Sequence, residues 1–152
     1  MAGDTVIIGI GDERRRDDGV GIAVARALAE GELPAGVRVE EAGREGFDLL
    51  AAIDGTERVI ILAAMRLGDA PGAIHVLSPA DAEARANYLS PLGTMALADA
   101  LELALMIGSR PEVLIVGVEP AEIVPGHTLN AEVAAAVQRA AGIARELAVA
   151  PT

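Results

Sequence analysis

Apolar positions along this chain follow two rhythms, short runs that suit buried strands and longer stretches with helical spacing. The first run, Val6-Ile7-Ile8, breaks at Gly9-Ile10-Gly11 and predicts a strand over 6–10. Beyond an acidic loop, Ile22, Val24, Ala25 and Leu28 recur at helical spacing over 20–30, and Gly31 with Pro34 ends that helix. Residues 37–41 alternate as a half-buried strand, and a short helix over 47–53 stops at the turn Asp54-Gly55-Thr56. The run 58–63 reads as a fully buried central strand, and a loop with a Pro71-Gly72 turn leads to a further strand over 73–77. Ser78-Pro79 opens a short helical piece, and Thr94 is the expected N-cap of a helix reaching about Ile107. Residues 112–118 form another buried strand, and Asn130 is expected to cap a last helix ending near Leu147.

Strands separated by helices of this size imply right-handed crossovers, hence an α/β fold. The expectation is a three-layer α/β/α sandwich around a mostly parallel sheet, one domain over 1–152. The hairpin-length link between Ala63 and Ala73 adds one antiparallel edge strand. In such folds binding sites gather at the carboxyl edge of the sheet. The loop Asp12-Glu13-Arg14-Arg15-Arg16-Asp17-Asp18-Gly19 leaves the first strand at that edge, with four acids and three arginines.

Gly-x-Gly after a strand is also the start of a dinucleotide fingerprint, but Arg14 stands where the third glycine belongs. No Walker loop is present, and the chain has no lysine. Asp12, Glu13, Asp17 and Asp18 suit a cation or a positively charged segment better than phosphate. Read plainly, the same acids are loop solubilisers, with Asp17-Asp18-Gly19 marking a turn and helix start.

Composition narrows the function classes. The chain has 152 residues and is 52% hydrophobic, enough for one real core. It shows neither a signal-type leader nor an apolar run of membrane length, so a cytoplasmic protein is expected. Without cysteine it has no disulfide, thiolate metal site or Cys nucleophile. A net charge of −11 repels nucleic acid, and Phe47 and Tyr88, its only aromatics, offer no stacking platform. No serine sits in a Gly-x-Ser-x-Gly elbow, so Ser78, Ser90 and Ser109 are poor triad nucleophiles. Ile53-Asp54-Gly55-Thr56 has the wrong order for an aspartic dyad.

The opening, Gly9-Ile10-Gly11-Asp12 through Asp17-Asp18-Gly19-Val20-Gly21, resembles that of the nickel-iron hydrogenase maturation endopeptidases. Residues 43–50 resemble that family's glycine-rich loop and second helix, and Pro71-Gly72-Ala73-Ile74 its edge strand. Ala96-Leu97-Ala98-Asp99-Ala100-Leu101 is similar to its fourth helix, and Gly117-Val118-Glu119-Pro120 to the segment after its last strand. The five motifs occur in family order over nearly the whole chain.

The resemblance implies a cytosolic enzyme that removes a C-terminal extension from a hydrogenase large-subunit precursor after nickel insertion, the nickel serving as recognition signal. It implies three side chains near that metal: a first-loop acid, an Asp closing the third strand, and a His before the fourth helix. Imidazole and carboxylate suit nickel. Asp18 fills the first position, as catalytic and metal-facing acid. Ala63 fills the second, and the third falls at Gly93, or at Leu92 in the alternative register. Asp12 replaces the usual Asn.

Of possible substitutes, His75 reads as an ordinary strand residue and His127 as a surface or capping residue, while Glu13, Glu41, Glu45 and Asp69 sit on edge loops. The expected cleft is bordered by Asp17, Asp18, Glu41, Ala63, Ala64 and the segment 90–93 beginning at Ser90. Two readings follow: the endopeptidase, and a non-catalytic member that serves as a binding or assembly module. A monomer with weak or absent nickel binding of its own is expected.

Overall fold

The structure, a computed structural model, describes residues 4–42, 48–92 and 95–151. The chain runs β1 (Thr5–Ile10), a 3-10 turn (Arg16–Gly19), α1 (Val20–Glu30), β2 (Val37–Ala42), α2 (Leu49–Ile53) and β3 (Arg58–Arg66). It continues through β4 (Ile74–Leu77), α3 (Pro79–Arg85), β5 (Tyr88–Leu89), α4 (Leu97–Met106), β6 (Glu112–Val118) and α5 (Ala131–Val149). The sheet order is β2-β1-β3-β6-β4, with β5 paired to β3. β2, β1, β3 and β6 are parallel, and β4 lies antiparallel against β6, as the short link before it requires.

Side chains alternate across the pleat and build two cores. Val6, Ile8, Val59, Ile61 and Ile115 pack under α2, α3 and α4; Ile7, Ile60, Leu62 and Val116 pack under α1 and α5. That is the three-layer sandwich the sequence pattern predicts. The inner face of α5 is lined by Ala136, Ala140, Ala144 and Ala148, which lets it lie close against α1. No helix among the described residues is long and apolar enough to cross a membrane.

Two boundaries differ from expectation. β3 runs on to Arg66 because β5 pairs with its overhang, Met65 with Leu89 and Arg66 with Tyr88. β5 is too short for periodicity to reveal. α4 starts at Leu97 with Ala96 as its N-cap, and Thr94, the expected cap, lies outside the described residues. Asn130 does hold the N-cap position of α5, but its side chain makes no capping bond there.

What sets α1 above the sheet is the absence of side chains where it crosses the strands. A Cβ on Gly21 would stand 2.2 Å from the Leu62 carbonyl oxygen and 2.4 Å from that of Ile10. On Gly9 it would meet the Gly21 carbonyl oxygen at 2.4 Å. These contacts are with backbone, which cannot swing aside. Gly21→Ala is therefore expected to cost about 3 kcal/mol in a denaturant titration. Gly142→Ala, in α5 with open space around it, is expected to gain about 0.5–1 kcal/mol.

Candidate functional site

The first loop is folded back on itself before α1 begins. Gly11 has φ +146° and a Cβ there would lie 2.0 Å from the Asp18 carbonyl oxygen, so only glycine closes the loop. The loop delivers Asp17 and Asp18 as buried residues in the turn just ahead of α1. Their carboxylates, adjacent in sequence, point to different partners.

Asp18 is 2% exposed. Its Oδ2 accepts the Asp12 backbone N–H at 2.9 Å, and its Oδ1 accepts the Tyr88 phenol O–H at 2.6 Å. Burial, then the hydrogen bond to the Asp18 carboxylate, pushes the Tyr88 phenol up to about 12. Beside the phenol lies Ser90, fully buried, whose backbone N–H donates to the Ala64 carbonyl at 3.1 Å and whose Oγ has no well-formed partner.

Asp17 does not border a cleft; it is completely buried. Its Oδ2 accepts the backbone N–H groups of Ala121 at 2.8 Å and Glu122 at 2.9 Å, and the Asn130 side-chain amide at 2.8 Å. Its Oδ1 accepts the Asn130 backbone N–H at 2.8 Å. Burial works to raise its pKa, but the hydrogen bonds from Glu122, Asn130 and Ala121 outweigh it and hold the carboxyl below the ordinary 3.8. Arg16, the one described non-glycine residue with positive φ (48°), completes the clamp. Its guanidinium donates to the Thr128 carbonyl at 3.1 Å, Glu122 at 3.2 Å and the Asn130 side-chain oxygen at 2.8 Å. The first loop is thereby fastened to the segment between β6 and α5.

Comparison with known proteins places the chain. A family model described as hydrogenase maturation protease matches residues 22–146. The chain belongs to the hydrogenase maturation protease family. It is 33% identical over 146 residues to the hydrogenase expression/formation protein HupM of Azotobacter chroococcum mcd 1, covering 91% of this chain and 68% of that protein. It is 30% identical to HoxM of Azotobacter vinelandii, covering 95% and 72%. Among solved structures, the [NiFe] hydrogenase maturation protease HybD of Thermococcus kodakarensis superposes with a TM-score of 0.79 at 31% identity, covering 95% of this chain and 99% of that one. The E. coli hydrogenase maturating endopeptidase HybD also scores 0.79, at 27% identity, covering 93% and 89%.

The other candidates of this family member fall into place around that frame. Ala63 and Ala64 are buried in β3, Ala63 facing the α2–α4 core and Ala64 the α1–α5 core that Tyr88 also packs against. Glu41, exposed at the end of β2, is ion-paired at 3.1 Å to Arg26, which also holds Glu13 at 2.5 Å. His75 pairs with Asp69 at 3.1 Å on the far edge strand, and His127 is exposed. Gly93 and Glu45 lie outside the described residues. Among the described residues no three His, Cys, Asp or Glu side chains converge as a metal site.

Two polar groups escaped sequence reasoning. Tyr88 had no motif to mark it. Glu119, quoted only within a family motif, is 3% exposed and accepts the Leu67 and Asp69 backbone N–H groups at 2.8 and 3.2 Å, pinning the loop before β4. A groove of about 540 Å³ lies beside α2, lined by Asp54, Ile107 and Arg110 among others. It leads to the amino ends of β3 and β6, away from Asp18.

Removing the Asp17 carboxylate leaves several buried donors unpaired, so Asp17→Ala is expected to cost roughly 3–4 kcal/mol. Because the folded pKa is depressed, this stability is present above the ordinary 3.8 and is lost as pH falls through the lower folded value. The gap in Tm between wild type and Asp17→Asn should therefore hold above pH 3.8 and narrow as the pH falls below it. For Tyr88 the sign is opposite. Its protonated form is the one held, so its contribution stands below pH 10.0 and drains away as pH rises toward about 12. Ultraviolet titration of this sole tyrosine should show the high inflection in wild type and a fall toward 10.0 in Asp18→Asn.

Proposed function

We propose that this chain processes the precursor of a nickel-iron hydrogenase large subunit, removing a C-terminal extension after nickel has been inserted. The observation that carries this reading is Asp18. In a chain of the hydrogenase maturation protease family, it is a carboxylate fixed by two hydrogen bonds in the loop after β1. A carboxylate so placed can accept a hydrogen bond from an incoming peptide segment. The loop clamp made by Asp17 and Arg16 keeps that acceptor still while a flexible substrate is ordered against it. Processing in the cytoplasm by a monomer belongs to the same proposal.

Nickel in this reading arrives as part of the substrate, and the described residues do not offer it a ligand set of their own. Both Asp18 oxygens are hydrogen-bonded, and Ala63 supplies no donor where the resemblance implies an Asp. That observation favours a second reading, a non-catalytic member that binds the precursor as an assembly module. Free Ni²⁺ should bind the protein no tighter than on the order of tens of micromolar, as few matched ligands imply. The pair Ala63→Asp with Gly93→His should bind it more tightly.

Incubation with a purified, nickel-loaded large-subunit precursor separates the readings. The expected result is loss of the C-terminal extension by mass spectrometry, abolished by Asp18→Ala. A stable complex without cleavage would leave the assembly module, and neither cleavage nor complex would overturn both.

A further inference from the structure

We infer that Tyr88 is a positioning residue that locks Asp18 as a hydrogen-bond acceptor and screens its Oδ1 from cations. The inference deepens the reading above, since it rests on Asp18 being the working carboxylate of the site.

The phenol is not a loose side chain that happens to reach the acid. It is carried by β5, which is laddered to the overhang of β3 through the Met65–Leu89 and Arg66–Tyr88 pairs. Flanking backbone bonds hold the segment on both sides, from Asn87 N–H to the Arg66 carbonyl at 2.8 Å and from Ser90 N–H to the Ala64 carbonyl at 3.1 Å. The acid is equally fixed, because its loop is clamped through Asp17 and its own Oδ2 takes the Asp12 N–H. Two rigid supports therefore meet in one 2.6 Å O–H···O contact between residues 70 apart in sequence.

That contact decides what Asp18 can bind. A hydroxyl donating to a carboxylate is a short, charge-assisted bond, stronger than its neutral counterpart. A cation seeking Oδ1 must displace the phenol from its 2.6 Å hydrogen bond, a loss that weakens binding. A peptide group that donates a hydrogen bond, by contrast, can share the acceptor. The site is thus tuned toward hydrogen-bonding peptide chemistry, and bare metal ions are turned away by Tyr88 in addition to the missing donor at Ala63.

The test uses NiCl₂ and the full chain. Calorimetric titration of wild type, Tyr88→Phe, Asp18→Asn and the double variant should show Tyr88→Phe binding Ni²⁺ about tenfold more tightly than wild type, with the gain absent in the double variant. Equal or weaker affinity in Tyr88→Phe would overturn the inference. Tyr88 is the only tyrosine in a chain without tryptophan, so its emission reports the contact directly. Emission in Asp18→Asn should differ from wild type, and identical emission would overturn the inference even if Tyr88→Phe proved unfoldable. These readouts need no precursor. Absence of cleavage with the spectroscopic coupling intact would sink the processing reading alone, and cleavage without coupling would sink this inference alone.

Discussion

A negative charge buried away from water is tolerable only when its oxygens are satisfied, and Asp17 meets that condition with four donors at 2.8–2.9 Å. Two of its donor groups belong to Asn130, at the entry to α5, and two to the segment after β6. The carboxylate thus ties the first loop to a part of the chain more than a hundred residues away. Everything around Asp18 depends on this knot. Without it the loop would be a short acidic linker free to move, and its second aspartate would have no fixed place relative to β5. Arg16 pulls in the same direction, accepting a positive φ in exchange for three hydrogen bonds to the same segment.

The layered architecture was legible because burial writes itself into spacing. β1, β3 and β6 are apolar runs, and α1 runs over the same residues that the helical repeat marks. The glycines flanking the loop were legible as breaks, although their purpose, close passage of α1 over two strands, is a tertiary fact. The division of labour between Asp17 and Asp18 was not legible. Two neighbouring acids look alike until their partners are known, and all of those but the Asp12 N–H lie 70 to 113 residues away. β5 was invisible for another reason. Two residues carry no period, and the strand exists only because β3 projects past its neighbour and leaves bonding groups to be used.

Family membership and site chemistry carry different information in this protein. The fold and the matched span identify the family, whereas function has to be argued from the site. The residues that would make up a ligand set are few, and position 63, buried in β3, carries only a methyl group. What remains at the site is Asp18 hydrogen-bonded to Tyr88, with Ser90 buried beside the phenol and the geometry set by the scaffold.

The alanine-lined contact between α5 and α1 gives this molecule an unusual response to change. In a core of large side chains, truncation opens voids and is the dangerous direction. Here Ala136, Ala140, Ala144 and Ala148 have almost nothing left to remove, and the chain holds a single Phe, a single Tyr and no Trp. The hazard is therefore reversed along this seam. One added methylene must push two helices apart, and because α1 is seated directly on the strand ends through Gly9 and Gly21, the displacement is carried into the loop that holds Asp18. The smallest side chains on the inner face of α5 thus act as spacers that set the position of an acid they never touch.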